Sequence, residues 1–172
     1  MDPAGLAIVH YPAPSLREPA QPVDPADENV RAVAARMIEL MHEADGVGLA
    51  APQVGLPWRV FVTHVGEVDP VDRAFINPEL RLPRVELISA EEGCLSLPGV
   101  HVQVRRPEIA EIAAVGLDGE RFTLSGEGLL ARVWQHENDH LDGILIIDRM
   151  TPMDRLATRK TLRDLEASAA PR

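Results

Sequence analysis

Gln135-His136-Glu137-Asn138-Asp139-His140-Leu141-Asp142-Gly143 decides how the rest of this 172-residue chain is read. Each residue of an α-helix turns the chain by about 100°, so His136 and His140 lie one turn apart and about 40° out of line. Both imidazoles then reach a single ion. Glu137 stands beside them, in the position of a general base acting on a water that the ion activates. The helix is expected from about Gly128 to Leu141, with Gly143 ending it. Leu129, Val133, His136 and His140 continue one stripe, so the histidines interrupt an apolar face. A buried imidazole is costly without a partner, which favours an ion over two histidines that merely decorate a helix.

Catalytic ions of this kind take three protein ligands and keep one position open. HExxH helices of peptidases usually complete the set with a His or Glu further along. No His follows His140, and Glu166, the only Glu after it, sits near a solvated end. The search therefore turns upstream to Cys94, the only cysteine, in Glu91-Glu92-Gly93-Cys94-Leu95-Ser96-Leu97-Pro98. Two glutamates beside a free thiol blunt it as a nucleophile, whereas a divalent cation holds the sulfur as thiolate. Cys94, His136 and His140 make an S, N, N set that Fe(II), Zn(II), Ni(II) and Co(II) all tolerate.

Further upstream, Gly46-Val47-Gly48-Leu49-Ala50-Ala51-Pro52-Gln53-Val54-Gly55 contains G-x-G-x-x-A. A dinucleotide fingerprint follows a strand and opens a helix. Here a helix precedes and a strand follows, so a rigid loop lying close to a substrate is the better reading. Gln53 would offer an amide N–H to a developing oxyanion, or it is an exposed residue of a turn.

The remaining chain reads as mixed α and β. Residues 1–25 are proline-punctuated and irregular. Val30, Val33, Ala34, Met37, Ile38, Leu40 and Met41 recur at helical spacing from near Pro25 to about Ala44, with Asp24 or Asp27 as the cap. After the loop 46–57, strands are expected at Arg59–Thr63, Ala74–Ile76, Val85–Ala90, Val102–Arg105, Ile109–Gly116 and Arg121–Leu124. Asp118-Gly119 joins the last two as a hairpin. An amphipathic helix covers roughly Met153 to Glu166.

Length suits a single catalytic domain over 1–172 with one core. Aromatic residues are 3% of the chain, so that core is expected to rest on Leu, Val, Ile and Ala. The net charge of −10 argues against general nucleic-acid binding. It is unevenly spread. Residues 149–172, read as a basic helical extension, hold six cations (Arg149, Arg155, Arg159, Lys160, Arg163, Arg172) against three acids. That segment is +3 and the rest −13. One cysteine excludes an intrachain disulfide. No leader-like start and no membrane-length apolar run is evident, so a cytoplasmic protein without a membrane partner is expected.

Three segments resemble those of the peptide deformylase family. Gly46–Gln53 matches its G-x-G-x-A-A-x-Q element, Glu92–Ser96 its E-G-C-L-S element, and Gln135–Gly143 its Q-H-E-x-D-H-L-x-G element, in the family's order. Ile8-Val9-His10-Tyr11-Pro12 with Leu16-Arg17 resembles the family's N-terminus, and the likeness runs over roughly residues 6–167. The resemblance implies an α+β fold, with antiparallel sheets packed around the HExxH helix and further helices towards either end. It implies removal of the N-formyl group from the initiator methionine of nascent polypeptides, releasing formate. Cys94, His136 and His140 would hold one divalent ion, natively Fe(II). Glu137 would move protons, and Gln53 with the Leu95 backbone N–H would hold the oxyanion. Val47, Gly48, Glu92, Gly93, Leu129, Arg132 and Val133 would line the methionine pocket. Arg132 is unusual there, where an aliphatic residue is common, and its guanidinium is expected to point outward or to modify the pocket. In some bacterial relatives a basic C-terminal helix docks on the ribosome. Arg155, Arg159, Lys160 and Arg163 would do so here, or they are a solvated helix face.

Two other readings stay open on the residues alone. An HExxH metallopeptidase would cleave internal peptide bonds and would not need Cys94. A noncatalytic, translation-associated module would hold the ion without turnover.

Overall fold

Val60-Phe61-Val62 and Ala74-Phe75-Ile76 are short continuous apolar runs, as expected of strands covered on both faces. They lie in strands β2 (Val60–Val65) and β3 (Asp69–Arg81) of a five-stranded antiparallel sheet. β1 (Gly48–Ala50) flanks β2, while β6 (Ile109–Val115) and β7 (Arg121–Glu127) continue beyond β3, in the order β1-β2-β3-β6-β7. β4 (Leu87–Glu92) and β5 (Val102–Pro107) pair antiparallel as a separate two-stranded sheet. The helices are α1 (Glu28–Glu43), α2 (Gly128–Leu141), the single turn α3 (Ile146–Arg149) and α4 (Pro152–Ala169). The computed structural model describes residues 2–83 and 86–169. Among these, no helix is long and apolar enough to cross a membrane.

Strand alternation sends the apolar side chains of the large sheet into two of three cores. Leu49, Val60, Val62, Ala74 and Ile76 pack with Val30, Val33, Ala34, Met37, Leu40 and Met41 of α1. Their in-between neighbours Ala50, Phe61 and Phe75 pack with Ala131, Trp134 and Leu141 of α2. The large sheet is thus held between the two helices. The second core is aromatic despite the low aromatic content. Phe75 stacks on Phe61 at 4.6 Å and meets Phe122 edge-on at 5.4 Å, and Trp134 is fully buried beside them. A third core joins Leu97, Val100, Val102 and Val104 to Leu16 and to Leu145, Ile146 and Ile147.

The expected helices form close to their anticipated bounds. Asp27 caps α1, accepting the Asn29 N–H at 2.8 Å, while Asp24 closes the preceding turn through the Ala26 N–H. Differences lie elsewhere. The loop 46–57 is not wholly loop, since it contains β1 and a 3-10 turn over Ala51–Val54. β3 runs well past Ile76, crossing a register shift before Glu79 where Asn77 takes φ +50°. The strand expected from Val85 begins at Leu87, and Val85 itself lies outside the described residues. α3 was not expected. It takes Arg149 out of the basic C-terminal extension, and Arg172 lies outside the described residues.

The N-terminal segment contains 3-10 turns at Pro3–Gly5 and Pro14–Arg17. Between and after them it runs as a strap across distant parts of the chain. Its backbone N–H groups bond Gln53 O (from Val9), Ser96 O (from Tyr11) and Leu141 O (from Ala20), each at 2.8 Å. The Tyr11 hydroxyl donates to Glu166 on α4 at 2.7 Å.

Candidate active site

α2 carries its sheet-facing residues on one side and His136, Glu137 and His140 on another. The stripe Leu129-Val133-His136 lines a cavity rather than filling the core, and Leu129 is half exposed at its edge. This cavity, of about 480 Å³, lies between α2, the Asp45–Gly48 segment and the Glu91–His101 segment. Every residue expected in the pocket (Val47, Gly48, Glu92, Gly93, Leu129, Arg132, Val133) lines it, together with Gln53, Cys94, Leu95, His136 and Glu137. Gly99, Val100 and His101 line it too and were not foreseen, although the Pro98-Gly99 turn after the cysteine motif hints at a chain reversal there.

Cys94 Sγ lies 3.4 Å from His140 Nε2, which lies 3.2 Å from His136 Nε2. Donors around a tetrahedral ion stand roughly 3.3–3.6 Å apart, so both separations match the spacing such an ion imposes, and all three donors lie within 4.8 Å of one another. Burial drives His140 well below the usual imidazole range, while in His136 the bonds to Cys94 and Glu92 outweigh burial and push it well up. A bound cation would replace the proton that this set otherwise holds. The donor set therefore fits a divalent ion.

Glu137 is buried, and one of its oxygens finds no hydrogen-bond partner among the described residues. Burial, above all, pushes its carboxyl up to about 7. The space it occupies exists because residue 48 is glycine. A Cβ there would stand 2.3 Å from Glu137 Oε1.

Gln53, at 1% exposure, is no exposed turn residue. Its Oε1 accepts the Ala50 N–H at 2.9 Å, which turns Nε2 towards Ser96 Oγ (3.2 Å) and Cys94 Sγ (3.5 Å). Ser96 was not singled out from sequence. Fully buried, it fixes the amide against the cysteine loop.

Glu92 lines the cavity, but its carboxylate faces the protein. Oε2 meets His136 Nδ1 at 3.0 Å, and Arg106 grips both oxygens at 2.6 and 2.9 Å. Burial opposes its charge, yet the bonds from His136 and Arg106 hold it well below the usual carboxylate range. Arg106 also bonds Asp139 of α2 at 2.8 Å, and Arg149 grips that aspartate with two bonds of 2.6 Å. A carboxylate on the second nitrogen of a metal-ligating imidazole sets its tautomer and aim. Arg106 and Asp139 were missed. A signal existed, because Val102, Val104 and Arg106 alternate on one face of β5, and an inward arginine demands a buried acid. Arg132 does not point outward. It bonds Glu92 Oε1 at 2.7 Å and the carbonyls of Val104 (3.0 Å) and Ile88 (2.7 Å), tying α2 to the β4–β5 sheet along the cavity wall.

A family model described as polypeptide deformylase matches residues 6–156, most of the chain. The chain belongs to the peptide deformylase family. The peptide deformylase of Thermotoga maritima is 49% identical over 152 residues, covering 88% of this chain and 91% of that protein. A solved plant peptide deformylase superposes with a TM-score of 0.88 at 39% identity, covering 95% of this chain and 90% of the other. A deformylase of Synechococcus elongatus, solved in complex with actinonin, superposes with a TM-score of 0.85 at 38% identity, covering 94% and 86%. Deformylases are hydrolases that remove the N-formyl group from nascent peptides, and they are metalloenzymes. The mixed helix and antiparallel-sheet architecture agrees with these neighbours.

Proposed function

We propose that this chain deformylates N-formylmethionyl nascent polypeptides with a single divalent ion, natively Fe(II), held by Cys94, His136 and His140. Zn(II), Ni(II) or Co(II) would substitute. One arrangement carries the reading: the sulfur and the two Nε2 atoms converge at 3.2–3.4 Å beside the buried Glu137 carboxyl. When bound, the ion supplies Lewis acidity and makes water a stronger acid.

The chain's own residues do the rest. Val47, Gly48, Gly93, Leu129 and Val133 receive the methionine side chain, with Glu92 and Arg132 as the polar wall. Gln53 Nε2 and the Leu95 backbone N–H hold the oxyanion that develops on the formyl carbonyl. Glu137 takes a proton from the attacking water and delivers one to the leaving amine, for which a carboxyl poised near neutrality is suited. Glu92 keeps His136 turned to the ion. The chain acts as one catalytic unit around the HENDH helix, in the cytoplasm where its substrates are made.

The test is formate release from formyl-Met-Ala-Ser by anaerobically prepared protein. Glu137→Ala is expected to keep the metal and lose activity, and Cys94→Ala to lose both. Full activity in either variant overturns the mechanism. Cleavage of internal peptide bonds would favour a peptidase, and metal retention without turnover a noncatalytic module.

The exposed cations of α4 support ribosome docking as a further part of this reading. Arg155, Arg159 and Arg163 line a shallow groove with Arg17, while Lys160 pairs with Asp164 at 2.9 Å. Replacing Arg155, Arg159, Lys160 and Arg163 with Gln should weaken co-sedimentation with ribosomes, most at low salt. Unchanged co-sedimentation removes docking from the proposal.

A further inference from the structure

Among residues that do not line the cavity, a second group of donors converges. His42 lies in the last turn of α1, His64 in β2 and Asp72 in β3. His42 Nε2 stands 2.7 Å from Asp72 Oδ1, and His64 Nδ1 stands 2.9 Å from the same oxygen. The two rings meet edge-on with centroids 4.9 Å apart. One donor atom from each residue falls within 4.8 Å of the other two.

Local structure explains the convergence. The β2–β3 register shifts between Thr63 and Val65, so His64 sits at an irregularity of the kind that re-aims a side chain. Its ring reaches Asp72 across the strand pair, and α1 delivers His42 from above. The side chains are 45%, 32% and 45% exposed for His42, His64 and Asp72, so an ion from solution has direct access.

We propose that His42, His64 and Asp72 form a second metal site, specific for a borderline divalent transition ion such as zinc. Two imidazoles and one carboxylate suit Zn(II), Ni(II), Co(II) and Cu(II), and are too nitrogen-rich for Mg(II) or Ca(II). Ligand atoms around a tetrahedral ion stand roughly 3.3–3.5 Å apart, so each ring nitrogen withdraws from Oδ1 by about half an ångström while the two nitrogens, already within 4.8 Å of each other, close on the ion. Three ligands leave the fourth position to water or to a small anion. The ion would clamp the end of α1 to the β2–β3 pair. The His64 backbone N–H bonds the Val47 carbonyl at 3.0 Å, and Val47 lines the catalytic cavity. The clamp therefore braces the wall of the pocket from behind without touching its chemistry.

Equilibrium dialysis of the full chain against zinc, with elemental analysis, tests this. The parent protein is expected to bind two ions per chain. Asp72→Asn and His42→Gln are each expected to bind one and to keep normal formate release, which shows them folded. Cys94→Ala should lose the catalytic ion and retain only the one held by His42, His64 and Asp72, which goes when Asp72→Asn is added. In proton spectra, the ring resonances of His42 and His64 should shift on adding zinc to the parent and not to Asp72→Asn. One ion per chain in the parent, or two in both surface variants, overturns the site.

Discussion

Gly48 carries no side chain because Glu137 needs the space. A methyl group there would press on the buried Glu137 carboxyl, whose nearer oxygen would stand 2.3 Å away. Gly48→Ala is therefore expected to displace Glu137 and to lower kcat by about 10²–10⁴-fold, the usual contribution of a positioned proton-transfer group. Metal content should stay at the parental level, and kinetics with parallel metal analysis checks both. Arg132 acts differently. Arg132→Met removes three bonds between α2 and the β4–β5 sheet, at a cost of about 1–3 kcal/mol in denaturant unfolding. Glu92 keeps its two bonds from Arg106, so the His136 orientation and the metal should persist. The set gathered around Cys94 was legible because each of its residues stands in a compact motif. The residues behind it were not, since the contact of Arg106 with Glu92 depends on how β4 and β5 pair. Spacing along the chain does not reveal that pairing.

The elements divide in the same way. α1 and α2 follow from periodic apolar positions and clear stop signals. β1 was hidden, because Gly48-Leu49-Ala50 has little strand preference of its own and becomes a strand only by pairing with β2. The strand expected over Ala74–Ile76 is longer than its apolar run, which stops at Asn77-Pro78. The structure carries it through, with the Asn77 side chain bonding the Val23 N–H and carbonyl at 2.9 and 2.8 Å. At the start of α4, Asp154 accepts from the Thr151 hydroxyl (2.7 Å) and backbone, and from the Gln103 N–H of β5 (3.1 Å). The Thr151 hydroxyl bond, chiefly, holds its carboxyl below the ordinary value of 3.8. A depressed carboxylate contributes stability above its unfolded value and loses it as pH falls through the folded one. Acidification below 3.8 should therefore loosen α4 from β5, seen as a change in the Gln103 amide resonance. Asp154→Asn should remove that acid-dependent step. An identical acid titration in the variant would refute it.

At the scale of the molecule, the proposed catalytic ion would join the Cys94 loop to α2 through coordinate bonds. A ligand bound only by the folded state stabilises it by about 2.7 kcal/mol at a hundredfold excess over Kd. In a protein of this size each kcal/mol moves Tm by roughly 2–4 °C. A chelator should accordingly lower Tm more in the parent than in Cys94→Ala, which scanning calorimetry would show. Equal shifts would deny the ion a structural role.

The N-terminal strap bears on how the protein comes into being. Residues 9–20 are synthesised before the groups they bond, which lie at Gln53, Ser96, Leu141 and Glu166. The strap's partners at Leu141 and Glu166 are made only after His136 and His140, so it closes fully only on a chain that already holds all three proposed metal ligands. A growing copy therefore has no partial activity that rises gradually with length. A copy still short of His140 lacks part of the proposed ligand set, so the nascent peptides of that moment are processed by molecules already finished.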